Sequence, residues 1–191
     1  MKLSELSSII SGHLFRTKIS HENKGNYSVI LMRNINDDNT VNYDELIKTS
    51  VEKIKPEQCI KKNDILFRAK GNNNYATYID RDLENTTTNT HFFIIRVKFE
   101  KILPEYLAWY INQKPAQMYF LQHSPGTVIP IITTKNLGNL NVVIPDITTQ
   151  KQIIQIHKLS IREESLSKQI VYKKKRLIEA LLIEKIKGGV K

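Results

Sequence analysis

The chain has 191 residues, 40% hydrophobic and 25% charged, which is enough apolar side chain to build a core and argues against wholesale disorder. Lys+Arg 29 against Asp+Glu 19 gives a formal charge of +10, so a polyanion is the first partner to consider. The single cysteine, Cys59, excludes an intramolecular disulfide and a cysteine-rich metal site, and no apolar run approaches the roughly 18 residues of a membrane span.

The N-terminus carries Glu5 and alternates polar with apolar, unlike a signal peptide, so a soluble, cytoplasmic protein is expected. Residues 2–9 predict a small amphipathic helix, and residues 27–32, 64–67 and 91–98 predict strands. Pro104, followed by the apolar-rich residues 105–111, predicts a helix, and Pro115 a second one. Tyr106, Trp109 and Tyr110 lie at helical spacing beside Leu107 and Ile111, which suits core packing better than base stacking. Val142, Val143 and Ile144 read as a short buried strand that Pro145 stops, after which Asp146 or Thr148 can cap a helix.

That helix is long. No Pro or Gly occurs from Thr149 to Lys187, and Ile156, Leu159, Leu166, Ile170, Leu177 and Leu181 recur with near-heptad gaps of 3, 7, 4, 7 and 4. At about 1.5 Å per residue the rod would measure roughly 58 Å, longer than a small domain is wide, and its apolar stripe needs a partner. Residues 150–191 hold 11 basic and 4 acidic residues, most of the surplus charge, before Gly188 and Gly189 end the helix. Within it, Lys173, Lys174, Lys175 and Arg176 form either a phosphate contact or, more in keeping with a long helix, a solvated or partner-facing surface. The fold class is α+β: a mixed α/β globular domain over residues 1–145, then one coiled-coil helix over 146–191.

Catalytic signatures are absent. Glu22, Asn23 and Lys24 resemble part of a nuclease motif, but no Pro-Asp precedes them, and the five histidines are scattered. The glycines form neither G-x-G-x-x-G nor a phosphate loop, and Ser124 has no partner pattern, so no metal or cofactor is expected. Two polar loops remain. Arg68, Lys70, Asn72, Asn73, Asn74 and Tyr75 follow a predicted strand, and Arg33 and Asn34 follow another. Arginine can pair bidentately with guanine and asparagine with adenine, while lysine holds phosphates. Asn and Gly are also the ordinary residues of solvated turns, so either reading stands on the loops alone.

Several segments in order resemble the specificity subunit of type I restriction-modification enzymes. Leu3-Ser4-Glu5-Leu6 with Ile10-Ser11-Gly12 is similar to the start of that family's target-recognition domain, and residues 27–35 resemble its first strand. Residues 60–67 resemble its "k-x-G-D-I-L" segment, with Asn63 where glycine is usual. Residues 103–112, the passage from Gly126 to Pro145 and the Gln150-Lys151-Gln152-Ile153-Ile154 helix opening resemble later family motifs, so the likeness covers nearly the whole chain. It implies a non-catalytic, half-sized subunit whose recognition domain reads double-stranded DNA. Its helix would self-associate into a C₂ dimer, or pair with another half-subunit, to read a bipartite site, while modification subunits supply methylation. A competing reading makes the chain a decoy or scaffold that docks on such an assembly without holding DNA, and the departure at Asn63 bears on it. A self-contained nuclease would require a carboxylate cluster that the sequence lacks.

Overall fold

Ile65, Leu66 and Phe67 are consecutive, apolar and fully buried, a pattern that arises where a strand is covered on both faces. In the computed structural model, which describes residues 1–71, 74–123 and 131–188, these residues form β4 (Ile65–Arg68). It lies between β7 (Phe92–Val97) and β5 (Ala76–Tyr78), and β1 (Ser7–Ser11) pairs with the other edge of β7. Every pairing in this sheet is antiparallel. A second sheet has the order β3 (Ile47–Thr49), β2 (Tyr27–Ile30), β6 (Thr86–Thr88), with β6 parallel to β2.

Leu66 and Ile94 of the first sheet pack with Ile30 of the second and with Ile60, Ile79 and Phe92 in one core. Because side chains alternate along a strand, Phe67 faces the other way and meets Phe120 with ring centroids 5.0 Å apart. Phe120 belongs to α3 (Lys114–Gln122), which follows α2 (Pro104–Ile111); each helix starts with proline in its first turn. Of the α2 aromatics expected in the core, Tyr106 is buried and donates to the Val143 carbonyl at 2.9 Å, whereas Trp109 and Tyr110 are half-buried, the Tyr110 hydroxyl donating to the Asn141 carbonyl at 3.2 Å.

The α+β class read from the sequence is the one observed, with three local corrections. The helix expected over residues 2–9 is a single turn, α1 (Leu3–Leu6), because Ile9 and Ile10 are taken into β1 opposite Ile95 and Ile94. The strand expected through residue 32 ends at Ile30, where a 3-10 turn (Met32–Asn34) begins. Val142, Val143 and Ile144 form no strand. Val142 is buried but Val143 is 66% exposed, and the segment is held by the Val142 N–H donating to the Met1 carbonyl at 2.8 Å. Asn63 adopts φ 71°, the left-handed conformation that glycine takes freely and asparagine tolerates best among other residues. The departure from the family pattern therefore preserves the turn.

After a short α4 (Thr134–Gly138), the last element is α5 (Ile147–Gly188), 42 residues and about 63 Å of helix. Asp146 is its cap: the Thr149 N–H donates to Oδ1 at 2.9 Å and the Thr149 hydroxyl to Oδ2 at 2.6 Å. These bonds hold the Asp146 carboxyl below its ordinary pKa. The chain divides into two compact units, Met1–Lys151 and the helix from Gln152 onward. The first unit includes the opening turn of α5, beyond the boundary read from the sequence at residue 145. Gln150 explains this: fully buried, it accepts from the Leu103 N–H and donates to the carbonyls of Lys101 and Pro145, all at 2.8 Å.

Candidate nucleic-acid interface

The two loops singled out in the sequence meet. A cleft of about 270 Å³ is lined by Met32, Ile35 and Asn36 from the segment after β2, and by Arg68, Tyr75 and Thr77 from β4, β5 and their connection. Its first wall is a tight loop: Ile35 bridges Val41, the Asn36 N–H donates to the Thr40 carbonyl at 2.9 Å, and Asn39 takes φ 61°. Asp37 and Asn39 also line the cleft. On the second wall the Arg68 N–H donates to the Tyr75 carbonyl at 2.8 Å, closing the connection onto the sheet. The Arg68 Nε donates to the Lys70 carbonyl at 3.2 Å, which steers the guanidinium across Gly71. A Cβ at Gly71 would lie 2.7 Å from the Arg68 Nη2, and the φ of +111° also suits glycine.

The candidate residues separate into two groups. Arg68 and Tyr75 line the cleft, and Tyr75 is 37% exposed, enough to present its ring and hydroxyl to a ligand. Lys70 is half-buried beside them, its backbone bridging Ile131. Arg33 is exposed next to the cleft-lining Met32 without itself lining the cleft. Asn34 and Asn74 are both buried, with their amides tied to backbone. Asn34 is fully buried; it accepts from the Leu31 N–H and donates to the Glu45 carbonyl, each at 2.9 Å. Asn74 donates to the Arg68 carbonyl at 3.0 Å. Neither amide faces an external base. Asn72 and Asn73 lie outside the described residues.

Thr77, Asp37 and His91 were missed. Thr77 lies on a three-residue strand too short to show a period, and Asp37 was passed over in favour of the neighbouring asparagines. His91 is exposed and sits in the field of two cations: burial, then the charges of Lys70 and Arg68, lower its pKa below the ordinary 6.5. It is accordingly neutral at pH 7, and the stability that follows from its neutrality falls as pH drops below 6.5. We expect Lys70→Ala to move the His91 titration midpoint upward toward 6.5, measured by NMR; an unchanged midpoint would separate the two side chains electrically.

Along α5, Ile156, Leu159, Leu166, Ile170, Leu177 and Leu181 are between 48% and 67% exposed. A second apolar row, unremarked in the sequence, comprises Val171, Ile178, Leu182 and Ile186, also exposed. At 100° per residue it lies roughly a quarter-turn from the first. Among the described residues no group of three or more His, Cys, Asp or Glu side chains is arranged to hold a metal ion, and no helix is long and apolar enough to cross a membrane.

Comparison with known proteins fixes the family. The family model of the type I restriction modification DNA specificity domain matches residues 1–171. The chain belongs to this family. The type I restriction enzyme HindI specificity subunit of Haemophilus influenzae (strain ATCC 51907 / DSM 11121 / KW20 / Rd) is 33% identical over 104 residues, 52% of this chain and 22% of that protein. Among solved structures, a chain from work on complex assembly and conformational transition of the type I R-M system aligns with TM-score 0.65 at 13% identity, over 95% of this chain and 42% of that one. The HsdS subunit of Thermoanaerobacter tengcongensis aligns with TM-score 0.58 at 14% identity, over 88% and 38%. The S subunit of M. genitalium aligns with TM-score 0.56 at 15% identity, over 87% and 39%. The DNA specificity domain described here thus spans less than half the length of each of these relatives, and it shares their fold, long helix included.

Proposed function

We propose that this chain is a non-catalytic, sequence-reading component of a type I restriction-modification enzyme. It works in the cytoplasm and directs methyltransferase and restriction subunits to a bipartite DNA site. The observation that carries the proposal is the cleft in which the loop after β2 and the connection after β4 come together beside Arg68 and Lys70. In this reading Arg68 donates to guanine, Tyr75 and the Asn36 amide contact neighbouring bases, and Asp37 accepts from cytosine N4. Lys70 and Arg33 hold phosphates and set register. Arg68 is suited to reading because its Nε bond to the Lys70 carbonyl orients the guanidinium before DNA arrives.

The long helix supports the other half of the proposal. Its first apolar row fits a second copy of the helix, and its second row leaves a further face for a modification subunit. The test uses the complete modification complex and genome-wide methylation mapping. Arg68→Ala is expected to relax one position of the recognised sequence by about 1–3 kcal/mol of discrimination. Lys70→Ala should weaken cognate and other DNA alike and reduce the slope of log affinity on log salt by about 1. Identical methylation patterns and unchanged affinities for both variants would sink the proposal.

A further inference from the structure

Between Ile156 and Ala180 the apolar row of α5 is interrupted at two places, and the two interruptions have opposite charge. Continued at alternating steps of 3 and 4, the seam reads Ile156, Leu159, Glu163, Leu166, Ile170, Lys173, Leu177 and Ala180. Glu163 and Lys173 are both exposed on the helix. A charge at a seam position opposes dry packing unless an opposite charge faces it, so such positions select among the ways two helices can pair.

We infer that Glu163 and Lys173 set the register of an antiparallel pairing between two copies of α5, with the two-fold axis at residue 168. This inference rests on the proposal that the helix self-associates, and what it adds is the alignment and the two residues that fix it. With the axis at 168, Ile156 faces Ala180, Leu159 faces Leu177, Leu166 faces Ile170, and Glu163 faces Lys173 of the second copy. The two-fold axis produces each contact twice. The competing alignments fail on charge. A parallel, in-register pair sets Glu163 on Glu163 and Lys173 on Lys173. Moving the axis by half a heptad sets Lys173 against Ile170 or Ile156, and Glu163 against Ala180 or Leu166, so both charges face apolar groups.

The favoured alignment has one adverse feature: Arg162 and Arg176 come together on the rim. Solvent screens them there, so the penalty is small beside that of an unpaired charge in the seam. The alignment also overlaps Gln152 with Glu184 of the second copy, so the two Gln152 residues lie about 48 Å apart along the helix axis, counting 1.5 Å per residue.

The test is the self-association of the full chain by sedimentation equilibrium, with circular dichroism to monitor the helix. Wild type is expected to dimerise. Glu163→Lys and Lys173→Glu, each alone, put two like-charge pairs into the seam and are expected to weaken the dimer by about 100-fold. The double variant restores both pairs with exchanged signs and should return to within about 10-fold of wild type. An equimolar mixture of the two single variants should form heterodimers of near wild-type affinity, because each facing pair is then Lys against Glu. If wild type dimerises but the single variants match it, or neither the double variant nor the mixture recovers affinity, the register is wrong and self-association still stands. A wild-type chain that stays monomeric would overturn both.

Discussion

Replacing Asp64 with alanine is expected to cost about 3 kcal/mol of folding stability, the lower end of the range for breaking a buried ion pair. The Asp64 side chain is 2% exposed and that of Arg96 26% exposed, and the pair is bidentate, with Nε to Oδ1 at 2.8 Å and Nη2 to Oδ2 at 2.7 Å. Asp64 Oδ2 also accepts from the Lys61 N–H at 2.8 Å, closing the turn that contains Asn63, and Arg96 Nη2 donates to the Cys59 carbonyl at 3.0 Å. Alanine removes the acceptor for three donors and leaves a guanidinium partly buried without its counter-charge. Against the 5–15 kcal/mol of a typical domain, 3 kcal/mol is a large share, visible as a lower urea midpoint at unchanged slope. The double change Asp64→Leu with Arg96→Met should recover much of the loss, because the attraction of a buried pair is largely offset by desolvation. A midpoint unmoved by Asp64→Ala would mean that the turn and sheet are held by apolar packing alone.

The legible parts of the fold were those with a long or uninterrupted signal. The apolar runs at residues 65–67 and 92–95 announced strands, the prolines announced α2 and α3, and an unbroken stretch free of Pro and Gly announced α5. Three elements gave no such signal. Strands β3, β5 and β6 are three residues each, too short for a period of two to register. Thr86, Thr87 and Thr88 are all buried, with hydroxyls donating to the carbonyls of Glu84, Gln58 and Ile30 at 2.8, 2.9 and 2.8 Å. Each polar group is satisfied by a segment distant in sequence or by a local turn, and single-sequence patterning does not reveal such partners.

The candidate site was legible as two loops but not as a cleft, because what joins them is the packing of one sheet on the other. Several described asparagines have a structural role that the sequence alone does not show. Every non-glycine residue with positive φ among the described residues is an asparagine, namely Asn39, Asn63 and Asn85. Others, such as Asn34, Asn74 and Asn112, spend their amides on backbone; Asn112 both accepts from the Ala76 N–H and donates to its carbonyl at 2.8 Å, as a neighbouring strand would. These asparagines shape turns and close a sheet edge. Arg68, half-buried, and Tyr75, exposed, both line the cleft.

Asn34→Ala separates these two roles, and a loss of about 2–5 kcal/mol is expected with no change in the sequence recognised. The substitution strips the buried amide from the half-buried Leu31 N–H and from the Glu45 carbonyl together, and each lost bond costs about 0.5–1.5 kcal/mol where water replaces the amide and about 1–3 kcal/mol where it does not. The Asn34 backbone holds the same corner, its N–H donating to the Leu31 carbonyl at 2.9 Å and its carbonyl accepting from the Asn42 N–H at 2.7 Å, so the loop that forms one wall of the cleft is loosened as a unit. For a chain of this size such a loss lowers the melting temperature by at least about 4 °C. Arg33→Ala, one residue away and exposed, should leave the melting temperature within about 2 °C and weaken DNA binding instead. Methylation mapping below the melting temperature decides the matter. If folded Asn34→Ala protein marks a different sequence while melting like wild type, Asn34 reads bases after all, and the burial described here does not persist when DNA is bound.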